Sequence, residues 1–287
     1  VVEQIQRLGV VGGGLMGAGI AEVGARAGLD VVVSEVDDSA AEAASSRIRK
    51  SLDRAVRNGK LEETERDAAL GRLRFATSLG EHADRQLVVE AVAENPEVKS
   101  AVFGELDRVV TDREAILASN TSSIPIAQLA AATERPGKVL GIHFFNPVPV
   151  LKLVELVPAL VTEESTVDRA AAFAVDQLGK QAIRAQDRAG FVVNALLVPY
   201  LLSAVRMFES GFASAEDIDN GMVLGCAHPM GPLTLADMVG LDTVVAIADS
   251  MYAEYRDPSH AAPPLLRRMV DAGLYGKKSG RGFYDYS

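Results

Sequence analysis

A glycine loop near the start of the chain limits the possible folds more than any other stretch. Residues 5–11 form a short apolar run, interrupted only by Gln6 and Arg7, that leads into Gly12-Gly13-Gly14-Leu15-Met16-Gly17. Residues 18–27 then have helical character and stop at Gly28, and residues 29–34 are a second, Val-rich run with Glu35 at its end. Each glycine has a physical task. Gly12 permits the tight turn from strand to helix, and Gly14 has no Cβ, so the backbone can approach a pyrophosphate. Gly17 lets the helix lie close against the strand. The helix N-terminus offers unpaired N–H groups and a positive dipole end to phosphates. An acid about 20 residues after the loop completes a dinucleotide-binding fingerprint. The Glu35 carboxylate can accept from both ribose hydroxyls and repels a 2′-phosphate, which favours NAD over NADP. FAD sites share the fingerprint, and a tightly packed turn with no ligand is the bland alternative. The surrounding order of strand, helix, strand and acid argues for the nucleotide.

The 287 residues, 48% of them hydrophobic, suffice for one large domain or two smaller ones. A formal net charge of -10 argues against binding nucleic acid or a membrane surface by bulk charge, but leaves room for a local basic patch. A single cysteine, Cys226, allows no intramolecular disulfide and suits a reducing cytoplasm. Val1-Val2-Glu3-Gln4 does not read as a signal peptide. The most apolar long stretch, residues 191–205, holds Asn194 and Pro199 and is shorter than the ~20 residues that span a bilayer.

Strand and helix patterns alternate onward. Residues 40–57 and 62–71 read as helices, 86–91 as a strand, 98–110 as a helix and 115–118 as a strand. Ser119-Asn120-Thr121-Ser122-Ser123 follows, and Pro125 opens another helix. This is the pattern of a Rossmann-type doubly wound α/β sheet, with the first long helices as a helical insertion. Arg47, Lys50, Arg54 and Arg57 recur on one helical face; a solvated charged face explains them, and so does a site for a polyanionic tail.

Residues 138–142 read as a strand that delivers His143, one of four histidines. Pro147 and Pro149 force an irregular turn, and a second apolar run, residues 151–157, carries Glu155. Two neighbouring strands joined this way would set Glu155 against His143, fixing the ring and leaving one nitrogen for proton transfer. A structural histidine with Glu155 on the surface competes with that view. In open α/β sheets ligands sit beyond the C-terminal ends of the strands. The glycine loop, Glu35, residues 90–94, residues 119–123 and His143 all fall there, which favours a functional His143. Ser122 and Ser123 lack a hydrolase elbow, Gly276-Lys277-Lys278-Ser279 lacks the leading glycine of a P-loop, and the scattered histidines form no metal site.

From residue 188 the pattern is helical throughout, giving domains of 1–187 and 188–287, the second an all-α domain. The expected helices cover residues 191–210 with a kink at Pro199, a segment capped by Ser214, residues 233–253 and residues 263–272. Their wide apolar faces suit packing on one another and on a second subunit, so a homodimer is expected. Asn194 falls in the first helical turn, where a capping or interdomain hydrogen bond would also account for it.

The chain resembles the L-3-hydroxyacyl-CoA dehydrogenases over nearly its full length. The resemblance rests on the loop from Gly12 to Gly17, Val89-Glu90-Ala91, Glu94-Asn95, Ser119-Asn120-Thr121-Ser122-Ser123 and His143-Phe144-Phe145-Asn146-Pro147. It continues through Lys152-Leu153-Val154-Glu155, Gly190-Phe191-Val192-Val193-Asn194, His228-Pro229-Met230-Gly231-Pro232 and the segment from Gly276 to Tyr284. The resemblance implies that His143 is the general base in oxidation and the acid in reduction, with Glu155 as its partner. Ser122 and Asn194 would hydrogen-bond the reacting part of the substrate. Gly12, Gly14, Leu15, Met16, Gly17, Glu35, Glu94, Lys99, Asn120 and Asn146 would surround NAD. Ser51 would lie near the CoA moiety. Family members carry a lysine seven residues beyond that serine where this chain has Asn58, so Arg54 or Arg57 is the expected replacement. An acyl-CoA substrate gives the basic stripe a reason to exist. Short-chain 3-hydroxybutyryl-CoA is the expected substrate. The same chemistry on 3-hydroxyadipyl-CoA, a carrier-bound acyl group or a free sugar acid is an alternative, and so is an NAD-binding redox sensor without turnover. A sensor would need none of His143, Glu155, Ser122 and Asn194.

Overall fold

In the computed structural model residues 3–287 are described; Val1 and Val2, which begin the segment read for a signal peptide, lie outside the described residues. The first apolar run becomes β1 (Arg7–Val11), and the loop after it opens α1 (Leu15–Arg26). Next come β2 (Asp30–Ser34), α2 (Asp38–Arg57), α3 (Glu63–Gly71) and β3 (Leu73–Ala76). Then follow β4 (Leu87–Glu90), α4 (Pro96–Val109), β5 (Ile116–Ser119), α5 (Ile126–Ala130) and β6 (Val139–Phe144). The series closes with β7 (Leu153–Pro158), α6 (Glu164–Ala172) and β8 (Gln181–Arg184). Helix starts follow local chemistry. Asp37 accepts from the Ala40 amide at 2.8 Å to cap α2, and Asn95 accepts from Val98 at 2.9 Å to cap α4, with Pro96 in its first turn.

The eight strands form one sheet in the order β3-β2-β1-β4-β5-β6-β7-β8. β1 to β6 run parallel; β7 pairs antiparallel with β6, and β8 runs parallel to β7. Val31, Val32 and Val33, and likewise Leu87, Val88 and Val89, are all buried, on both faces of the sheet, so these strands read as continuous apolar runs without alternation. The strand order reverses between β1 and β4, which opens a crevice at their C-terminal ends.

The chain divides into two units, Val1–Arg188 and Ala189–Ser287. The second contains α7 (Val193–Glu209), α8 (Ala215–Cys226), α9 (Pro232–Val239), α10 (Leu241–Tyr255) and α11 (Pro264–Asp271). Leu201, Leu202, Val205, Leu233, Val244, Met251 and Leu266 form its core. Asp219 accepts from the Leu233 and Thr234 amides at 2.8 and 2.9 Å and so caps α9. Asp237 accepts from the Phe283 and Tyr284 amides, both at 3.0 Å, tying down the C-terminal segment. A side chain at Gly276 or Gly282 would collide with Asp237, which explains those two glycines as packing requirements.

Two sequence expectations need correction, and one strand was not foreseen. The stretch read as helical over 233–253 is two helices, because Gly240 takes φ +101° and breaks the backbone path between them. The helix expected from residue 191 starts at Val193, since Phe191 holds a positive φ of 48°. The helical detour after Glu35 returns through β3, a short edge strand that pairs Val31–Ser34 with Leu73–Ala76. Its half-exposed Leu-Arg-Phe-Ala carries too little alternation to be seen in the sequence. Among the described residues no helix is long and apolar enough to cross a membrane.

Candidate active site

The C-terminal edge of the sheet carries one cavity and a buried polar cluster, and a second cavity lies beside α1 and α2. The first cavity, about 470 Å³, lies at the switch between β1 and β4 and is lined by Gly12, Gly14, Ser34, Glu35, Ala91 and Val92, among others. Gly12 takes φ +90°, and a Cβ there would lie 2.8 Å from the Ala91 carbonyl oxygen. At Gly17 a Cβ would collide with the Gly12 carbonyl, so this glycine is needed for packing. Gly14 differs: a Cβ there would meet no protein atom within 4 Å. Space is thus held open over Gly14 at the start of α1, where helix amides face outward, as a dinucleotide pyrophosphate requires. The loop is braced on both sides. Gly13 N donates to Glu35 Oε1 at 2.6 Å, and Arg47 Nη1 donates to Gly13 O at 2.6 Å. Leu15 is exposed and Met16 packs half-buried against the core.

The polar cluster is built on two strands. β6 and β7 pair so that His143 stands opposite Glu155. His143 Nδ1 is 2.7 Å from Glu155 Oε2, and both residues are buried. On its other side His143 Nε2 is 3.1 Å from Ser122 Oγ. The Phe145 ring meets the imidazole edge to face, with centroids 4.6 Å apart. A carboxylate at Nδ1 selects the tautomer with the proton there and leaves Nε2 as acceptor, the form of a general base.

Ser122 is held by one acid, Glu94, from beyond the end of β4. Glu94 accepts from the Ser122 and Ser123 amides at 3.0 and 3.2 Å and from the Ser123 hydroxyl at 2.9 Å, and it also bonds the Thr121 hydroxyl. Lys99, buried, pairs with Glu94 at 3.2 Å and with Glu90 at 2.6 Å. Glu90 is fully buried and also accepts from Ser119 Oγ at 2.6 Å and the Val92 amide at 2.7 Å. Burial pushes the Glu94 carboxyl up, but Lys99 and the Thr121 and Ser123 hydroxyls outweigh it and hold it below the ordinary carboxylate range. Asn120 Oδ1 accepts from the Phe144 amide at 2.9 Å and so ties this loop to β6. The cluster gives Glu94, Lys99 and Asn120 visible work in shaping the loop that carries Ser122. Sequence patterning missed Glu90 as its hub, because a glutamate ending an apolar strand gives no sign of which way it turns.

The second cavity, about 590 Å³, lies between α1, α2 and the turn after β6. Ser51, Arg54, Lys50 and Arg47 line it from α2, with Leu15 and Asn146 on the opposite sides. Arg57, exposed at the end of α2, does not line it. Arg26, Glu22 and Lys60 line it and were not singled out in the sequence. Asn58 caps α2, and Gly59 turns the chain so that Lys60 faces the cavity, outside the reach of helical periodicity. Lys180 is buried behind the turn and donates to the Val148 and Leu151 carbonyls at 2.5 and 2.7 Å, fixing that wall. Burial, with Arg26 adding to it, lowers the Lys180 pKa. Asn194 belongs to the second unit, buried in the first turn of α7.

A doubly wound sheet with this loop and this histidine pair defines a nucleotide-dependent oxidoreductase. Residues 7–188 match the 3-hydroxyacyl-CoA dehydrogenase NAD binding domain, and residues 190–286 match the C-terminal domain of 3-hydroxyacyl-CoA dehydrogenase. The chain belongs to the 3-hydroxyacyl-CoA dehydrogenase family of NAD-dependent oxidoreductases. It is 62% identical over 284 residues to a 3-hydroxybutyryl-CoA dehydrogenase of Mycobacterium tuberculosis, covering 99% of each chain. A probable 3-hydroxybutyryl-CoA dehydrogenase of Bacillus subtilis is 45% identical over 99% of this chain and 98% of its own. The crystal structure of M. tuberculosis FadB2 superposes with a TM-score of 0.99 at 62% identity, over 99% of this chain and 100% of that one. The (S)-3-hydroxybutyryl-CoA dehydrogenase of Ralstonia eutropha superposes with a TM-score of 0.93 at 44% identity, over the same shares.

Proposed function

We propose that the protein interconverts (S)-3-hydroxybutyryl-CoA and acetoacetyl-CoA, with NAD as redox partner. The observation that carries this reading is the His143 ring held between a buried carboxylate and the Ser122 hydroxyl, on the sheet edge that also bears the glycine loop. The relatives that match it end to end act, by their names, on 3-hydroxybutyryl-CoA. Gly12, Gly14 and Glu35 would hold the dinucleotide. When bound, NAD supplies the two-electron hydride acceptor for oxidation.

His143 Nε2 takes the proton of the 3-hydroxyl in oxidation and returns it in reduction. Glu155 keeps the ring oriented and stabilises the imidazolium that forms between the two events. The Ser122 hydroxyl, on a backbone that Glu94 holds through the Ser122 amide, orients the substrate oxygen against the same nitrogen. Asn194 is assigned to the substrate through the resemblance alone. The second cavity, with its cations on α2, receives the phosphate-bearing end of CoA. Leu196, Phe212 and Leu224 are largely exposed on the helical unit and favour a homodimer through it. The lone Cys226 favours a reducing cytoplasm.

The test is NADH oxidation with acetoacetyl-CoA, compared with a longer 3-ketoacyl-CoA and with a free 3-keto acid. Turnover with acetoacetyl-CoA that exceeds the other two by an order of magnitude or more supports the reading. No turnover with any thioester would leave the redox-sensor alternative standing.

A further inference from the structure

The second cavity contains a carboxylate where an anion is to bind. Glu22 lies on the face of α1 that closes the cavity and is 2% exposed. Its Oε1 is 3.6 Å from Arg26 Nη1, one helical turn further along α1. Ser51 and Arg54, on α2, line the same cavity, and both favour the ionised form of the Glu22 carboxyl. Arg47 and Lys50 on α2 and Lys60 beyond it complete the cationic lining. The turn of residues 146–150 brings no charged side chain to it. Behind the cavity, Lys180 feels the Arg26 charge, and near α3 Arg72 donates to the Ala25 carbonyl at 3.2 Å.

We propose that Glu22 is a specificity-determining residue for the phosphate-bearing end of the substrate, and that it takes up a proton when that end binds. This rests on the assignment of the second cavity to the CoA phosphates. The physical reason is competition. An ionised Glu22 holds Ser51 and Arg26 and repels a phosphate placed among the same groups. A protonated Glu22 releases both cation and hydroxyl to the ligand and removes the repulsion. Burial already pushes the Glu22 carboxyl above its ordinary value, against the opposing pull of Ser51, Arg26 and Arg54. A bound phosphate disfavours the charged form further, so binding and proton uptake are linked. Affinity for a phosphate-bearing thioester therefore rises as pH falls. The second ionisation of a phosphate monoester, near pH 6, has the opposite sign, because it adds negative charge as pH rises.

The experiment measures KM for acetoacetyl-CoA and for acetoacetyl-pantetheine between about pH 5.5 and 8, and reads the ratio of the two. Both substrates share the keto group and His143, so titration of the catalytic cluster cancels in the ratio. In the wild type the ratio KM(CoA)/KM(pantetheine) is expected to rise several-fold with pH. In Glu22→Gln it should fall or stay level with pH, and at pH 8 it should lie several-fold below the wild-type value. A wild-type ratio that is flat or falls with pH overturns the proposal without any variant. A Glu22→Gln profile that parallels the wild type overturns it too. Lys50→Glu is measured alongside. If it raises KM for acetoacetyl-CoA selectively while Glu22→Gln shifts nothing, the cavity assignment holds and Glu22 is merely structural. If Lys50→Glu affects both substrates equally, the cavity assignment itself falls, and this inference with it.

Discussion

Glu155 Oε2 lies 2.7 Å from His143 Nδ1 because β7 runs antiparallel to β6 in a register that pairs these two residues directly. Among the described residues no other pair of sheet neighbours is antiparallel, and a parallel β7 in this position would need a long crossover in place of the short proline-containing turn. The topology thus sets a buried carboxylate behind the imidazole and leaves Nε2 directed at Ser122.

His143→Gln is expected to lower kcat by roughly 10²–10⁴, the usual worth of a general acid or base. Glu155→Gln should lower it less, since orientation survives in part. NADH affinity should change little in both, because neither residue lines the first cavity. Steady-state kinetics with acetoacetyl-CoA check this, and a His143→Gln enzyme within about threefold of wild type would end the general-base role.

The glycine loop makes two opposite predictions from one substitution type. Gly17→Ala places a methyl against the Gly12 carbonyl and should cost roughly 1–3 kcal/mol of stability by overpacking. Gly14→Ala meets no protein atom within 4 Å and should leave Tm unchanged while weakening NADH binding about tenfold or more. Thermal melts and NADH fluorescence titration separate the two. A Gly14→Ala protein that binds NADH at wild-type strength would show that the pyrophosphate does not approach this backbone.

Arg54 and Arg57 read as equivalent in the sequence but differ in the structure, since only Arg54 lines the second cavity. Arg54→Glu should raise KM for acetoacetyl-CoA at least several-fold, and Arg57→Glu should change it less than twofold. Equal effects from the two reversals would return the stripe to the role of a solvated face.

His82 is fully buried, with Nε2 2.8 Å from Ser34 Oγ. Burial, with Arg85 adding to it, lowers its pKa from 6.5 to about 4. The folded state thus binds this proton less readily than the unfolded chain. The stability contribution is complete above about pH 6.5 and declines as pH falls toward 4, by about 3 kcal/mol in total. Urea unfolding at pH 7 and at pH 4.5 should show this loss, with a shallower dependence in His82→Gln. Parallel curves for the two proteins would remove His82 as the source.

Asn194→Ala should keep its circular dichroism and lose kcat by tenfold or more, with NADH affinity retained. Wild-type turnover in the folded variant would reduce Asn194 to a packing residue at the start of α7.

Local chemistry was enough for much of the architecture. The glycine loop, the Val-rich parallel strands and the capped helices each follow from interactions within a few residues, and these are written in the order of the chain. The proline-containing turn made neighbouring His143 and Glu155 strands legible as one of two readings, and the register of β6 and β7 chose between them. Other features were decided only by tertiary structure. The orientation of Glu90 depends on Lys99 and Ser119 arriving from other elements, and β3 exists as a strand because the edge of β2 is free to receive it. Arg54 was separated from Arg57, and joined to Arg26, Lys60 and Glu22, by the way α1 packs on α2. Helical periodicity says which residues share a face, and only the packed neighbour says what that face meets.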